Sequence, residues 1–223
     1  MKNLSRHSLR KVSTSDFAYS EIKQQIVTGT LEPDEPIIEE HLATQLEISR
    51  TPLREALQRL EIEELVIRQL NGRLKVAPIS IKEVKEIFTV RRKLEEIVVA
   101  QATEYATEHE LSKLTNMTKM IERNFRESNL DEMLYYGSEF HTFIYDLSRN
   151  RTAVKVLYQL NDHIHRYRRM IPTQTIEKLA KSIEEHERIL KCMMTKDANG
   201  AVQAMSEHIE SSLQDVIASI DKK

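Results

Sequence analysis

The chain has 223 residues, of which 30% are charged and 40% hydrophobic, with four glycines, one cysteine and no tryptophan. This composition suits amphipathic helices, and the glycines stand too far apart for a dinucleotide-binding or phosphate-cradling loop. The formal net charge of −2 gives no overall signature of a polyanion binder. A single cysteine excludes a disulfide framework, and we find neither a secretory signal nor a transmembrane run. We therefore expect a cytoplasmic, mostly helical protein with no membrane partner.

The first part of the chain has the pattern of three helices followed by a hairpin. The expected elements are helices at about 15–28, 39–46 and 49–63 and strands at 65–68 and 73–77. Residues 1–13 are basic and predict a flexible arm, whereas the proline-containing residues 30–36 predict a connector. Ser15 is the expected cap of the first helix, and Phe17 is expected on its buried side. Asn71-Gly72 between the two strands is a strong hairpin signal.

From Ser80 onward the spacing of apolar residues is helical to the end of the chain. Helices are expected near 80–107, 109–127, 130–148, 152–170, 174–195 and 197–220. Ser80 and Glu83 predict a capping box at the start of the first of them. Six antiparallel helices of this length form a bundle. We thus predict a mainly α protein with an arm at 1–13, an N-terminal domain at 14–78 and a helical domain at 79–223.

Two arginines lie one turn apart at the start of the third predicted helix. Helical spacing places Arg50 and Arg54 on one side, away from the apolar residues Leu53 and Leu60. A helix in the major groove reads bases with residues of its first turns, and arginine donates two hydrogen bonds to guanine. The alternative is an ordinary three-helix unit whose arginines are only solvated.

Three runs of residues in this region form a specific pattern. They are Ile26-x-x-Gly29-x-Leu31-x-Pro33, Glu40-His41-Leu42-Ala43 and Ile48-Ser49-Arg50-Thr51-Pro52-Leu53-Arg54-Glu55-Ala56-Leu57-x-x-Leu60. The pattern closely resembles the winged helix-turn-helix domain of the GntR family of bacterial transcription regulators. The DNA-binding residues that the resemblance implies are Ser49, Arg50, Thr51, Arg54, Gly72 and Arg73. Of these, the two helix arginines would contact bases and the last two would form the wing.

The sequence departs from the family pattern at four positions. Asp34, Glu47 and Glu64 stand where the family commonly has glycine. Glu40 stands where some members place another DNA-contacting arginine. We expect the fold to tolerate these changes, but an operator sequence cannot be inherited from the resemblance, and weaker nonspecific affinity for DNA is expected.

Three histidines lie on or beside the apolar stripes of three bundle helices. His186 falls within a stripe, and His141 and His208 border one. Three inward imidazoles could hold a divalent metal of the zinc, nickel or iron class and leave a coordination position open. The alternative is that each is a hydrogen-bonded core residue. Arg91 also lies on an inward stripe, and a buried arginine needs an anionic partner, which is either Glu95 or a bound carboxylate.

A second set of runs covers most of the helical region. They are Val90-Arg91-x-x-Leu94-Glu95, Phe140-His141-x-x-Ile144, Asn150, Glu185-His186-x-x-Ile189-Leu190 and Met205-x-x-His208-Ile209. They resemble the FCD effector-binding domain of one GntR subfamily over about residues 80–220. In that domain an aspartate and three histidines bind a divalent metal, and an effector, often a small organic acid, binds beside it. The resemblance implies His141, His186 and His208 as ligands and Arg91 as a pocket residue.

The aspartate of that domain is missing here. Gly137 stands four residues before His141, where the aspartate is expected. Glycine inside a helix costs about 1 kcal/mol relative to alanine and leaves space. Either three histidines hold the metal while water or effector fills the gap, which we favour, or the polar cavity binds its ligand without a metal. Asn161, on the stripe of the fourth bundle helix, is a further pocket candidate; the alternative is a buried amide bonded to the backbone.

Together these features predict a transcription regulator, most simply a repressor, that is not an enzyme. We expect a homodimer on a palindromic DNA operator, with affinity modulated by a small organic acid bound in the helical domain. The alternatives are a metal-dependent helical enzyme using the three histidines and a helical protein-interaction adaptor. No acid or base stands at an obvious spacing near the histidines, and an enzyme would need neither the arginine-bearing helix nor the wing.

Overall fold

The structure is a computed structural model that describes residues 13–169 and 176–221. Within these residues the chain is mainly α-helical with one small sheet, which confirms the predicted fold class. It separates into two compact units, with the boundary between Ile79 and Ser80. The predicted basic arm lies outside the described residues except for its last residue, Ser13. No described helix has the length and apolar character needed to cross a membrane.

The N-terminal unit contains three helices and a three-stranded antiparallel sheet. Its elements are α1 (Thr14–Val27), β1 (Pro36–Ile37), α2 (Glu39–Gln45), α3 (Arg50–Ile62), β2 (Val66–Arg68) and β3 (Leu74–Val76). The strand order is β1-β3-β2, with Pro36 opposite Lys75 and Val66 opposite Val76. The sequence predicts β2 and β3 but treats the residues through Pro36 as a connector. A two-residue strand that begins with proline has no periodicity to detect, so β1 was missed.

The start of α1 differs from the prediction. Ser13 rather than Ser15 is the N-cap, and its hydroxyl accepts a hydrogen bond from the backbone N–H of Asp16 at 3.0 Å. Phe17 is 44% exposed, whereas Ala18 is fully buried. The prediction that Phe17 faces the core was therefore wrong. The core of the unit instead consists mainly of aliphatic residues: Ile22, Ile26, Ile37, Leu42, Ala43, Leu53, Leu57, Leu60, Leu65, Val66, Leu74 and Val76.

Left-handed backbone marks the turns of this unit. Gly29 ends α1 at φ 74° and Gly72 turns the hairpin at φ 81°. Asp34, Glu47 and Glu64 also have positive φ, at 68°, 54° and 57°. These are the three positions at which the resemblance implies glycine. The chain thus adopts left-handed backbone here with side chains, a conformation that costs L-residues about 1–2 kcal/mol each.

The C-terminal unit is an all-helical bundle. Its helices are α4 (Ile81–Tyr105), α5 (Glu108–Arg126), α6 (Leu130–Leu147), α7 (Arg151–Arg169), α8 (Ile176–Met194) and α9 (Ala198–Ile220). Each described helix end lies within two residues of its prediction, while predicted boundaries at 170 and 174 fall outside the described residues. Helix α4 packs against α9, α6, α7 and α8, and α5 packs against α6 and α8. Helix α4 therefore carries its buried stripe into the centre of the bundle.

The N-terminal caps of α4 and α9 involve residues that the sequence pattern singles out. The Ser80 hydroxyl accepts from the Glu83 backbone N–H at 3.1 Å, but the Glu83 carboxylate accepts from the Tyr167 hydroxyl at 2.7 Å. Asp197 caps α9 by accepting from the Gly200 backbone N–H at 2.9 Å. A Cβ at residue 200 would lie 2.2 Å from the Asp197 carboxylate, so Gly200 leaves room for this cap.

Candidate DNA-binding face and histidine centre

The six residues predicted to contact DNA are all exposed on the N-terminal unit. Arg50 and Arg54 lie in the first turns of α3, whose other side buries Leu53 and Leu60 completely. Ser49 is the N-cap residue of α3, and its hydroxyl makes no capping hydrogen bond. The hydroxyl and the unpaired backbone N–H groups of the first turn can therefore receive a phosphate. Thr51 is also exposed beside them.

The hairpin between β2 and β3 presents the remaining two residues. Arg68 supports the turn, because its Nη1 donates to the Gly72 carbonyl at 3.2 Å and its Nη2 donates to Glu61 Oε2 at 2.8 Å. The Arg73 backbone N–H donates to the Asn71 side chain at 3.0 Å. The exposed Arg73 guanidinium forms no ion pair within residues 13–169 and 176–221. The tip thus offers an unpaired cation on an ordered turn.

Two glutamates at the start of α2 contact the helix arginines. Arg54 Nε donates to Glu39 Oε2 at 2.7 Å. Arg50 Nη2 lies 3.2 Å from Glu40 Oε1. The sequence drew attention to Glu40 as a departure from the family pattern, but it did not predict either ion pair, because both join residues from different helices.

The three predicted histidines converge in the C-terminal unit. His141 on α6, His186 on α8 and His208 on α9 are buried, with side-chain nitrogens that all lie within 4.8 Å of one another. The Nε2 atoms of His141 and His208 are 3.1 Å apart. The Nε2 atom of His186 has no hydrogen-bond partner within the described part of the chain. We call these three residues the histidine centre.

The opposite nitrogen of each imidazole faces an acceptor. His141 Nδ1 donates to Glu95 Oε2 at 2.6 Å, and His208 Nδ1 donates to Glu185 Oε2 at 2.8 Å. His186 Nδ1 donates to the Ser182 carbonyl at 2.6 Å. Because the ionised Glu95 carboxylate and the Ser182 carbonyl only accept, Nδ1 carries the proton of a neutral imidazole in His141 and His186. The same assignment holds for His208 when Glu185 is ionised. Burial lowers the pKa of all three imidazoles, which favours this neutral form.

The donor set fits a divalent metal ion. With the protons on Nδ1, the three Nε2 atoms are unprotonated, and those of His141 and His208 lie only 3.1 Å apart. Their lone pairs repel unless a cation lies between or beside them. Fixing a ligand imidazole through its other nitrogen is also the usual arrangement around protein-bound metals. The sequence did not predict the supporting roles of Glu95, Glu185 and Ser182, because the carboxylates come from other helices.

Glu95 connects the histidine centre to a buried cation. Its Oε1 accepts from Arg91 Nε at 2.6 Å and from the Tyr145 hydroxyl at 2.7 Å, while Oε2 accepts from His141. Burial raises the pKa of Glu95, but the Arg91 charge and the His141 contact outweigh this and hold the pKa well below its ordinary value. Glu95 is therefore ionised, and it is the partner that the buried Arg91 required.

Two cavities adjoin the histidine centre. The first is lined by Ile121, Met133, Leu134, Gly137, Arg168, Lys178, Ser182, Glu185, His186, His208, Ser211, Ser212 and Asp215. The second is lined by Arg91, Ser138, His141, Thr142, Tyr145, Asn161, Ile164, His165 and Arg168. The predicted pocket residues Arg91 and Asn161 thus share the second cavity with a histidine. A Cβ at Gly137 would lie 4.0 Å from His186 Nε2, so the glycine leaves space directly beside that nitrogen.

Arg168 lines both cavities and was not among the predicted site residues. Its Nη1 lies 3.4 Å from the Ser138 hydroxyl, and it pairs with no carboxylate among the described residues. Burial, together with the positive charge of Arg91, lowers the pKa of Arg168 to about 10. The signal for it was the inward stripe containing Asn161 and Ile164, which continues one turn further to Arg168. Among residues 13–169 and 176–221, the site therefore contains a cation without a carboxylate partner.

Comparison with known proteins identifies both units. Residues 14–76 match the family model described as bacterial regulatory proteins, gntR family, and residues 86–211 match the FCD domain. The HTH-type transcriptional regulator YdhC of Bacillus subtilis is 31% identical over 192 residues, which cover 85% of this chain and 85% of the relative. The gluconate operon transcriptional repressor of Bacillus licheniformis is 23% identical over 207 residues, covering 91% of this chain and 84% of the relative.

A solved structure agrees with this assignment at the level of the fold. The Escherichia coli protein McbR/YncC superposes with a TM-score of 0.78 at 23% identity, covering 95% of this chain and 99% of that chain. The two family matches follow the division between the N-terminal helices with their hairpin and the helical bundle. The chain therefore belongs to the GntR family of bacterial transcription regulators, in the subfamily with an FCD domain, and is a DNA-binding regulator rather than an enzyme.

Proposed function

We propose that this regulator is a ligand-responsive repressor. It binds a palindromic operator as a homodimer, and a small carboxylate bound beside a divalent metal in the bundle changes its operator affinity. The observation that carries the proposal is the convergence of the three buried histidines next to Arg168, which pairs with no carboxylate among the described residues. The names of two relatives support repression, since one is called a gluconate operon transcriptional repressor and the other the repressor GlaR. The first name also supports a link to a sugar acid.

The proposed DNA contacts have two roles, which are recognition of base edges and positioning of the protein on the DNA backbone. Arg50 and Arg54 are exposed at the start of α3 and are assigned to base edges in the major groove. Ser49 and Thr51 are assigned to phosphates at the helix N-terminus. The wing tip, Gly72 with Arg73, is assigned to the flanking minor groove or backbone. In this arrangement the arginines determine specificity, and the other contacts determine register.

The proposed metal ligands are His141, His186 and His208. The ion belongs to the zinc, nickel or iron class, because neutral imidazoles are good ligands for these metals. Gly137 supplies no ligand, so three protein ligands leave coordination positions open. When bound, the ion supplies a positive charge to which a carboxylate oxygen or water can coordinate.

Removing one histidine is expected to release the metal. Wild-type protein should purify with about one divalent ion per chain, while His186→Ala should lose it, because two imidazoles bind far more weakly than three. Elemental analysis of the purified proteins measures this, and circular dichroism verifies that the variant is folded. The control is His109→Ala, since His109 is exposed at the start of α5. A folded His186→Ala protein that retains wild-type metal content would contradict the assignment.

The proposed effector site uses Arg168 as its cation. Arg91 is already paired with Glu95, whereas Arg168 lines both cavities without a carboxylate partner among the described residues. A carboxylate there would satisfy the guanidinium and lie close to the histidine centre. Asn161 and Arg91 line the adjoining cavity and contribute polar groups for the rest of the ligand. A small organic acid, such as a sugar acid, fits this chemistry.

Loss of the Arg168 charge is expected to weaken effector binding by about 10–100-fold, the range for a hydrogen bond to a charged group. The measurement is the melting temperature of the protein with sugar acids and other small carboxylates, each with and without added zinc. A ligand present at 100 times its Kd stabilises the folded protein by about 2.7 kcal/mol, which raises the melting temperature. Arg168→Gln should lose about half or more of the shift that wild type shows at the same ligand concentration. Arg169→Gln, one residue along and exposed, is the control. Equal shifts in all three proteins would refute this site.

A further inference from the structure

The two glutamates that open α2 contact the recognition arginines through different atoms. Glu39 accepts from Arg54 through Nε, the nitrogen inside the side chain, at 2.7 Å. Glu40 lies against Arg50 through Nη2, a terminal nitrogen, at 3.2 Å. The two residues are adjacent in sequence and carry the same charge, yet they leave different parts of their arginines available.

We propose that Glu39 and Glu40 have opposite effects on operator recognition: Glu39 positions Arg54 for base reading, and Glu40 restrains Arg50. The inference rests on the proposed assignment of these arginines to bases. Glu39 thus contributes to sequence specificity and Glu40 limits DNA affinity, although the two carboxylates carry the same charge.

The Glu39 contact leaves the reading end of Arg54 free. A guanidinium can approach guanine end-on with Nη1 and Nη2, which donate to O6 and N7. The bond through Nε remains compatible with that approach, and it restricts the rotamers of a long side chain before DNA arrives, which lowers the entropy lost on binding. The Glu39 side chain is only 31% exposed, so it forms a comparatively fixed support. Glu39 is therefore a positioning residue.

The Glu40 contact involves the reading end of Arg50. Nη2 is one of the two terminal nitrogens that an end-on bidentate contact requires, so the ion pair must open before Arg50 can read a base in that way. The Glu40 side chain is 79% exposed, and its carboxylate adds negative charge to a face that approaches phosphates. Glu40 therefore opposes both specific and nonspecific binding. This also gives a physical reason for the weaker DNA affinity expected from glutamate at the position where the resemblance implies an arginine in some family members.

The test compares Glu39→Gln with Glu40→Gln, each serving as the control for the other. Both variants remove one negative charge from neighbouring positions, so general electrostatics favours DNA binding to a similar extent in both. The probes are a duplex enriched by the wild-type protein from a random-sequence library and a scrambled duplex of the same composition. Fluorescence anisotropy at several salt concentrations gives the two affinities and the salt slope.

Glu40→Gln is expected to bind both duplexes about 2–5-fold more tightly, the range for one exposed ion pair, with a salt slope steeper by up to about one unit. Glu39→Gln is expected to bind the enriched duplex about 2–5-fold more weakly, while its affinity for the scrambled duplex does not fall. Affinity changes of the same sign on the enriched duplex, or no change in either variant, would overturn the inference.

Alanine variants of the two arginines test the recognition-helix assignment separately from the opposed roles of Glu39 and Glu40. Arg50→Ala and Arg54→Ala are measured on the same enriched duplex. If neither loses affinity, the recognition-helix assignment itself fails. If both lose affinity but the two glutamine variants shift together, only the opposed roles of Glu39 and Glu40 are wrong.

Discussion

Replacing Arg54 or Arg50 with alanine is expected to weaken operator binding by about 5–150-fold each, because one bidentate arginine–guanine contact contributes about 1–3 kcal/mol of discrimination. Both side chains are exposed and lie opposite the buried face of α3, so the fold should not change. The measurement is an anisotropy titration of the enriched duplex, with thermal melting to show that stability is retained. Affinity for a scrambled duplex should fall much less, since there the arginines act only as charges.

Arg59→Ala is the matched control for these variants. Arg59 is an exposed arginine near the end of the same helix, and its Nη1 donates to Asp16 at 2.7 Å. Removing it deletes the same charge from α3 without touching the first turns, so operator affinity should change only slightly. If Arg59→Ala weakens binding as much as Arg54→Ala, charge rather than base reading explains the loss.

Replacing Glu95 with alanine is expected to lower the free energy of unfolding by about 3–5 kcal/mol, the range for breaking a buried ion pair on one side. Glu95 is fully buried, and its removal leaves the Arg91 charge without its partner. It also removes the acceptor of the Tyr145 hydroxyl and of His141 Nδ1. Urea unfolding of metal-free protein measures the loss without a contribution from metal binding.

Two further variants make the Glu95 result specific. Glu185→Ala removes the carboxylate that supports His208, but Glu185 is partly exposed and also near Lys181, so we expect a loss of about 1 kcal/mol or less. The double variant Arg91→Leu with Glu95→Leu removes the unpaired buried charge and should recover part of the stability, while the Tyr145 hydroxyl and His141 Nδ1 still lack their acceptor. A Glu95→Ala protein as stable as wild type would show that the buried ion pair of Arg91 and Glu95 does not stabilise the bundle.

The helical architecture was predictable because its signals are local and repeated. The stripe of α4, which includes Val84, Phe88 and Val98, recurs at helical spacing over 25 residues, and all of these residues are buried. Periodicity averages over many positions, so the described helix boundaries agree with prediction to within two residues. A prediction for a single position rests on less information. For that reason the predicted burial of Phe17 and the predicted N-cap of α1 were both wrong.

The candidate site was predictable in its three histidines and in the cavity residues Arg91 and Asn161. His141, His186 and His208 were found from their inward positions and from the resemblance, and the structure brings their nitrogens together. The carboxylates that support His141 and His208 lie on α4 and α8, on helices other than those of the two histidines, and become visible only when the helices pack. Arg168 was missed because a basic residue near a helix end is ordinarily solvated, and only the cavities show that it faces the histidine centre.

Gly137 occupies the position in α6 where the resemblance implies an aspartate. A glycine within α6 is locally unfavourable by about 1 kcal/mol relative to alanine. Apart from its own helix backbone and chain neighbours, the nearest described atom to a Cβ at this position would be His186 Nε2, at 4.0 Å. The position where the resemblance implies an aspartate is thus open space beside a histidine nitrogen. In the proposed function, that space admits the carboxylate of the effector in place of a carboxylate of the protein.

Regulation requires that the effector bind the two functional states unequally, since a ligand with equal affinity for both changes nothing. Coupling of this kind commonly amounts to about 1–3 kcal/mol, or about 5–150-fold in affinity. By linkage, operator DNA must change the effector affinity by the same factor. This reciprocity distinguishes regulation from a ligand that only stabilises the bundle.

The most direct test of the account is the operator Kd of metal-loaded protein, measured with and without the carboxylate that gives the largest melting shift. We expect saturating carboxylate to weaken operator binding at least about 5-fold, and we expect Arg168→Gln to retain operator binding but lose this response. An unchanged operator Kd, with a carboxylate whose binding is proven by the melting shift, would contradict the central claim that the histidine centre regulates DNA binding.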